Sequence, residues 1–201
     1  MATISKTILE IEEAMQEMQT TSMIEKPKVK QFLTSVLYEC HLNCGRVIFR
    51  EKLVKGGKDG SAAIIVPFTK DNRVLVIVEP RVFTKKGVGV GFPAGYIEPE
   101  EDELEGAKRE LLEETGYQAN DMIKLDSFYQ DEGCSSAYNT IFLATNCEKV
   151  QEQHLDRDEI IKYFECTFEE VEELEKRGYI EGANSKLAIQ KVKSLGGIRW
   201  E

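Results

Sequence analysis

Between Gly95 and Tyr117 the chain reads GYIEPEEDELEGAKRELLEETGY, and this run restricts the possible folds more than any other. Pro99 stands just ahead of an acidic opening turn and Gly116 where a C-terminal stop is expected, so residues 101–115 are predicted to form a helix. Leu104, Ala107, Leu111, Leu112 and Thr115 recur at helical spacing, giving that helix a mostly apolar face which needs a core to cover it. Glu110, Glu113 and Glu114 are spaced by three and four residues or adjoin, so their carboxylates converge on a neighbouring face, where like charges destabilise an isolated helix. A hard divalent cation such as Mg²⁺, bound by carboxylates, waters and substrate phosphates, turns that repulsion into a binding site. Arg109 can orient one glutamate and leave the others for metal. An acidic run usually forms a solvated face, and EPEEDELE alone is open to that reading.

The chain has 201 residues, 41% of them hydrophobic, enough for one domain with a sizeable core but not for two full ones. A formal net charge of −10 argues against a nucleic-acid partner, whose footprint would be a basic patch. An acidic protein that handles phosphates needs metal ions or local basic residues. No run of eighteen apolar residues is present, and the first residues lack a basic start followed by an apolar stretch, so no membrane partner is expected and the expected location is cytoplasmic. Five scattered cysteines fit reduced thiols better than a disulfide framework. Cys40, His41 and Cys44 invite a zinc reading, but no second ligand pair follows.

In chain order, residues 4–19 carry Ile4, Ile8, Ile11, Ala14, Met15 and Met18 near a helical period, an amphipathic helix needing a surface to cover it, in this chain or another copy. Pro27 interrupts; residues 29–42 are compatible with helix or strand. From Arg46 the pattern becomes β, with residues 62–68 and 73–79 as a hairpin around Asp71-Asn72. Gly87, Gly89 and Gly91 do not open a helix as a dinucleotide-binding loop must, and are better suited to a bend and a close backbone approach to the carboxylates. Strands are expected at 126–130, 139–145 and 164–168, helices at 169–177 and 185–194, and a Gly196-Gly197 tail. The order suggests an α/β protein with a mixed sheet between helices, divided into an N-terminal helical or strand extension (residues 1–45) and a main domain (46–201).

Gly95, Glu101, Arg109, Glu110, Leu111, Glu113, Glu114, Gly116 and Tyr117 fill every fixed position of a pattern that resembles the Nudix box, G-x5-E-x7-R-E-U-x-E-E-x-G-U with U apolar. The resemblance implies the Nudix fold, a mixed β-sheet in an α/β/α sandwich, and Mg²⁺- or Mn²⁺-dependent hydrolysis of a diphosphate linked to another group. It implies Glu110 and Glu114 as principal metal ligands, Glu113 as a further ligand or water contact, the Ala94 carbonyl as another ligand, and Arg109 and Glu101 as orienting partners. Phe92-Pro93-Ala94-Gly95, Val78-Glu79-Pro80-Arg81 and Gly178-Tyr179-Ile180 are similar to segments of the ADP-ribose pyrophosphatase branch. That branch implies ADP-ribose or a related nucleoside diphosphate sugar as substrate, cleaved to AMP and a sugar phosphate, with a homodimer in which the N-terminal extension takes part. Arg81, Gly95, Glu101 and Gly133 then fall at substrate-binding positions. Where the branch has S-P-G in the loop after the box, this chain has Asp131-Glu132-Gly133, and the branch's loop glutamate falls at Ala137. Asp131, Glu132 and Glu113 are the alternative carboxylates for activating water, and Glu113 and Glu132 are taken with Glu114 and Arg109 as the catalytic candidates. Other nucleotides, or a silent nucleotide-binding domain, are the competing readings.

Overall fold

The computed structural model describes residues 4–26 and 32–196. Ser5 opens α1 (Lys6–Met18) by accepting the Ile8 N–H, and the helix buries Ile8, Ile11, Ala14, Met15 and Met18. β1 (Leu33–His41) and β2 (Val47–Lys55) form a separate antiparallel hairpin. An eight-stranded sheet follows, from β3 (Ala62–Thr69), β4 (Val74–Pro80), β5 (Val88–Gly91), β6 (Ala94–Tyr96), and, after α2 (Glu103–Thr115), β7 (Tyr117–Gln118), β8 (Asp121–Tyr129), β9 (Tyr138–Lys149) and β10 (Lys162–Cys166). The chain then forms α3 (Phe168–Lys176) and α4 (Ala183–Ser194). The central order is β10-β4-β3-β9-β7, with β5 beside β4, β6 beside β3 and β8 beside β9. Among the described residues only the β3–β9 pairing is parallel, Ile64 standing opposite Ile141, so the sheet is mixed.

Alternation along β3 explains why its sequence is a continuous apolar run: both of its faces are covered. Ile64, Val66 and Phe68 join β4's Val74, Val76 and Val78 under α1, α3 and α4, through residues such as Ile11, Val171, Leu174 and Ile189. Ala63 and Ile65 face the other way with Leu75, Phe142 and Ala144, against Ala107 and Leu111 of α2. The result is the α/β/α sandwich expected from the element order. Among the described residues, no helix is long and apolar enough to cross a membrane.

The structure shifts several expected boundaries for local reasons. α2 starts at Glu103, two residues later than predicted, because Asp102 caps it by accepting the Leu104 N–H; Glu101 stays in the preceding turn. β10 stops at Cys166 because Thr167 and Glu170 form a reciprocal capping box that starts α3, taking Phe168 out of the strand. β8 begins at Asp121, ahead of the predicted 126, and crosses an irregularity between Lys124 and Asp126. The segment left as helix or strand is a strand from Leu33 onward; its first residues, with Pro27, and Gly197 of the tail lie outside the described residues. The division expected between residues 45 and 46 falls in the turn of the β1–β2 hairpin, and α1 shares the core built by the later strands.

Candidate active site

The first turn of the site is made by β6 and the residues leading into α2. Gly95 leaves room there: a Cβ at this position would lie 2.0 Å from Cδ of Glu110, so any larger residue would push that carboxylate away from the strand. Arg109 then spends its whole guanidinium on the turn. Nε and Nη2 donate to the two oxygens of Glu101, each at 2.9 Å, while Nη1 donates to Glu110 at 2.7 Å and Glu113 at 3.0 Å, and Nη2 also reaches the Tyr96 carbonyl at 3.0 Å. These bonds raise the arginine further above its ordinary range and hold the Glu101 carboxyl below its own. Arg109 thus ties Glu101, in the turn, to Glu110 and Glu113 on the helix.

Glu114 points the other way, into the sheet. It is 4% exposed, and its Oε2 accepts the Ala94 N–H at 3.0 Å. Burial, then the nearby charges of Glu79 and Glu110, push its carboxyl up to about 9. Burial likewise raises Glu110 and Glu79, the latter partly offset by its ion pair with Arg81. The charge of Glu159 raises all three. Three carboxylates from β4 and α2 thus share one partly buried space, with the exposed Glu159 of the segment between β9 and β10 close enough to act on them.

That space is an open cleft of about 610 Å³ lined by Glu79, Arg81, Ala94, Gly95, Arg109, Glu110, Glu113 and Glu114. The Arg81 side chain lies against Gly89, where a Cβ would come within 2.8 Å of its Cγ, so one of the three glycines noted in the sequence clears the path of the arginine. Lys55, Lys58, Gln130, Asn139, Asn184, His154, Asp156 and Glu159 also line the cleft.

Of the residues singled out in the sequence, Arg81, Ala94, Gly95, Arg109, Glu110, Glu113 and Glu114 line this cleft, with Glu101 just behind Arg109. Glu132 and Gly133 are not among its lining residues, and Asp131 is occupied in its own loop, its carboxylate accepting from the Cys134 thiol at 3.0 Å. Ala137 lies fully buried just ahead of β9. The loop carboxylates that do line the cleft, Asp156 and Glu159, lie beyond the far end of β9. The acidic run Asp156-Arg157-Asp158-Glu159, between two apolar strands, was the available signal for them. Glu79 was visible only as a strand end, and Asn139 and Asn184 carried no motif.

Oxygen ligands at this density suit a hard divalent cation. Among the described residues, no three His, Cys, Asp or Glu side chains stand together as a preformed metal site, because Arg109 holds Glu110 and Glu113 while Ala94 holds Glu114. The residues nevertheless fit such an ion: Glu114 is nearly fully buried, the charges of Glu79 and Glu110 stand close enough to raise its carboxyl, and Gly95 leaves room beside Glu110.

A sandwich of this topology with a glutamate-bearing helix against its sheet defines a class. The chain belongs to the Nudix hydrolase family, the NUDIX domain matching residues 58–185. Members of that family generally work with a divalent metal. The chain is similar to the ADP-ribose pyrophosphatase of Bacillus subtilis (strain 168), 30% identical over 134 residues, or 66% of this chain and 72% of that protein. It is also similar to the GDP-mannose pyrophosphatase of Cronobacter sakazakii (strain ATCC BAA-894), 24% identical over 172 residues, covering 82% and 88%. In three dimensions it resembles a solved ADP compounds hydrolase with a TM-score of 0.69 over 87% of this chain and 90% of the other, at 22% identity, a likeness of fold.

Proposed function

We propose that the protein hydrolyses the diphosphate bond of ADP-ribose or a closely related nucleoside diphosphate sugar with Mg²⁺, Mn²⁺ serving as a substitute, to give AMP and a sugar phosphate. The observation that carries this reading is the convergence of Glu79, Glu110, Glu114 and Glu159 on one cleft that also contains Arg81. Similarity to an ADP-ribose pyrophosphatase supports the choice of nucleotide, and similarity to a GDP-mannose pyrophosphatase keeps other sugars in the test panel.

Glu110 and Glu114 hold the metal, with Glu113 and the Ala94 carbonyl beside them. Such an ion neutralises phosphate oxygens and lowers the pKa of water. Arg81, an exposed guanidinium at the end of β4, binds a phosphate or ribose edge through its fork of donors. Arg109 and Glu101 keep the glutamates aimed. Glu159 accepts the proton of the attacking water; Glu132, outside the cleft, does not. Water attacks phosphorus, the bridging oxygen leaves with one phosphate, and no covalent enzyme intermediate forms.

The protein acts in the cytoplasm as a homodimer. The apolar face of α1 is covered by its own core, so the contact falls to the β1–β2 hairpin, where Leu37 is 68% and Phe49 57% exposed. A two-stranded hairpin is at best marginal alone, and a second copy covers these residues.

The reading is tested by offering ADP-ribose, GDP-mannose, dinucleotides and nucleoside triphosphates with Mg²⁺ and identifying the products. Preferred conversion of ADP-ribose to AMP and ribose 5-phosphate is the expected result. Preference for a triphosphate or dinucleotide would overturn the substrate assignment, and binding of a nucleotide with no turnover of any would overturn the enzymatic one.

A further inference from the structure

The C-terminal end of α2 is held by side-chain and backbone donors from a single segment, residues 149–154. An α-helix leaves its last carbonyls without internal partners. Here the Glu113 carbonyl accepts the His154 N–H at 2.9 Å, the Gly116 carbonyl accepts those of Val150 at 2.9 Å and Gln151 at 3.2 Å, and the Thr115 carbonyl accepts from Lys149 Nζ at 3.1 Å. The remaining carbonyl, that of Glu114, accepts from the side chain of Gln153. Gly116, at φ 74°, makes this seat possible: a Cβ there would lie 2.1 Å from the Gln151 carbonyl oxygen.

Gln153 does more than satisfy the helix. Its Nε2 also donates to the Ile161 carbonyl at 3.3 Å. Residues 153 and 161 are the two ends of the loop that carries His154, Asp156 and Glu159 to the cleft. One amide group therefore closes that loop and ties its base to the peptide of Glu114. Within the loop, the Glu159 carboxylate accepts the Asp156 N–H at 3.1 Å and the Glu159 N–H donates to the Asp156 carbonyl at 3.0 Å, so two bonds tie the glutamate to its own loop. Backbone bonds from Val150, Gln151 and His154 seat the base of the loop on α2, and Gln153 is the side chain that links that seat to the loop's far end at Ile161.

We propose that Gln153 is a positioning residue: by donating to the carbonyls of Glu114 and Ile161 it sets the placement of Glu159 against the glutamates of α2. The inference rests on the assignment of Glu159 as the water-activating carboxylate. Gln153 touches neither substrate nor metal, and its contribution passes through Glu159.

The test is a double-mutant cycle on Mg²⁺-dependent turnover. Gln153→Met keeps the length of the side chain and removes both donors; it lowers kcat about tenfold to a hundredfold, with KM changed no more than about threefold, because a carboxylate misplaced by an ångström loses most of its effect. In a Glu159→Gln background the same substitution adds no more than about threefold, since the group it positions is already disabled. Gln153→Asn, too short to reach both carbonyls, shows the same pattern and serves if the methionine variant does not fold. Wild-type kcat in the Gln153 variants, or losses that multiply in the double variant, would overturn the inference. Wild-type turnover in Glu159→Gln alone would instead overturn the assignment of Glu159.

Discussion

Glu114 is the residue whose environment is hardest to maintain without a cation. Its carboxyl, pushed up to about 9 by burial and by Glu79 and Glu110, is protonated in the metal-free fold at neutral pH, while in the unfolded chain it ionises near its ordinary value of 4.5. The folded form thus binds the extra proton, so this contribution to stability is present below the unfolded pKa and is lost as pH rises through the folded one. A divalent cation selects the ionised form and releases the proton. The rise in Tm on adding saturating Mg²⁺ therefore grows between about pH 6 and pH 8.5, and Glu114→Gln removes that growth, a comparison for differential scanning fluorimetry. Gly95→Ala probes the same centre from the strand side: the new Cβ displaces the Glu110 carboxylate, and calorimetric Mg²⁺ affinity falls about tenfold or more while the far-UV circular dichroism is kept. Arg109→Lys loses the two-pronged grip on Glu101 and the spare donors to Glu110 and Glu113; urea unfolding of the metal-free protein registers a loss of about 2 kcal/mol.

Among the elements, α2 was legible almost to the residue, because its cap, its apolar face and its glutamate cluster are all local. The β3–β4 hairpin was legible for the same reason: two apolar runs meet at a tight turn, where Asn72 adopts a positive φ of 56°. The meeting of Glu79, Asn139 and Glu159 in one cleft was not, since it depends on the pairing of β4 with β10 and the parallel pairing of β3 with β9, contacts between segments far apart in sequence. β1 was ambiguous because Leu33–His41 mixes apolar and polar residues without a clean alternation, and nearly all of it is exposed. The apolar stripe of α1 left open whether its partner lay in the same chain; Ile8, Ile11 and Met15 face the chain's own core. Ile11→Ala therefore costs about 3 kcal/mol and lowers Tm by roughly 6–12 °C, without changing the mass measured by light scattering. Leu37→Asp tests the proposed dimer from the other side: it is expected to give a monomer by light scattering with the melting of the core little changed, and an unchanged dimer would remove the hairpin from the contact.

At the scale of the whole molecule, the two layers of helices have different tasks. α1, α3 and α4 close one face of the sheet, while α2 on the other presents a charged end to a cleft opened by β4, β6 and the segment between β9 and β10. An excess of ten negative charges does not prevent such a protein from taking an anionic diphosphate, because the acidic groups that dominate the cleft are those a divalent cation neutralises. The most direct measurement is the Mg²⁺-dependent release of AMP from ADP-ribose by the wild-type protein and by Glu114→Gln, which keeps the shape of the side chain and removes its charge. The wild type turns over, and the variant loses about a hundredfold or more in kcat at saturating Mg²⁺. A Glu114→Gln protein that retained near-full Mg²⁺-dependent turnover would contradict the placement of the metal, and with it the chemistry assigned to the cleft.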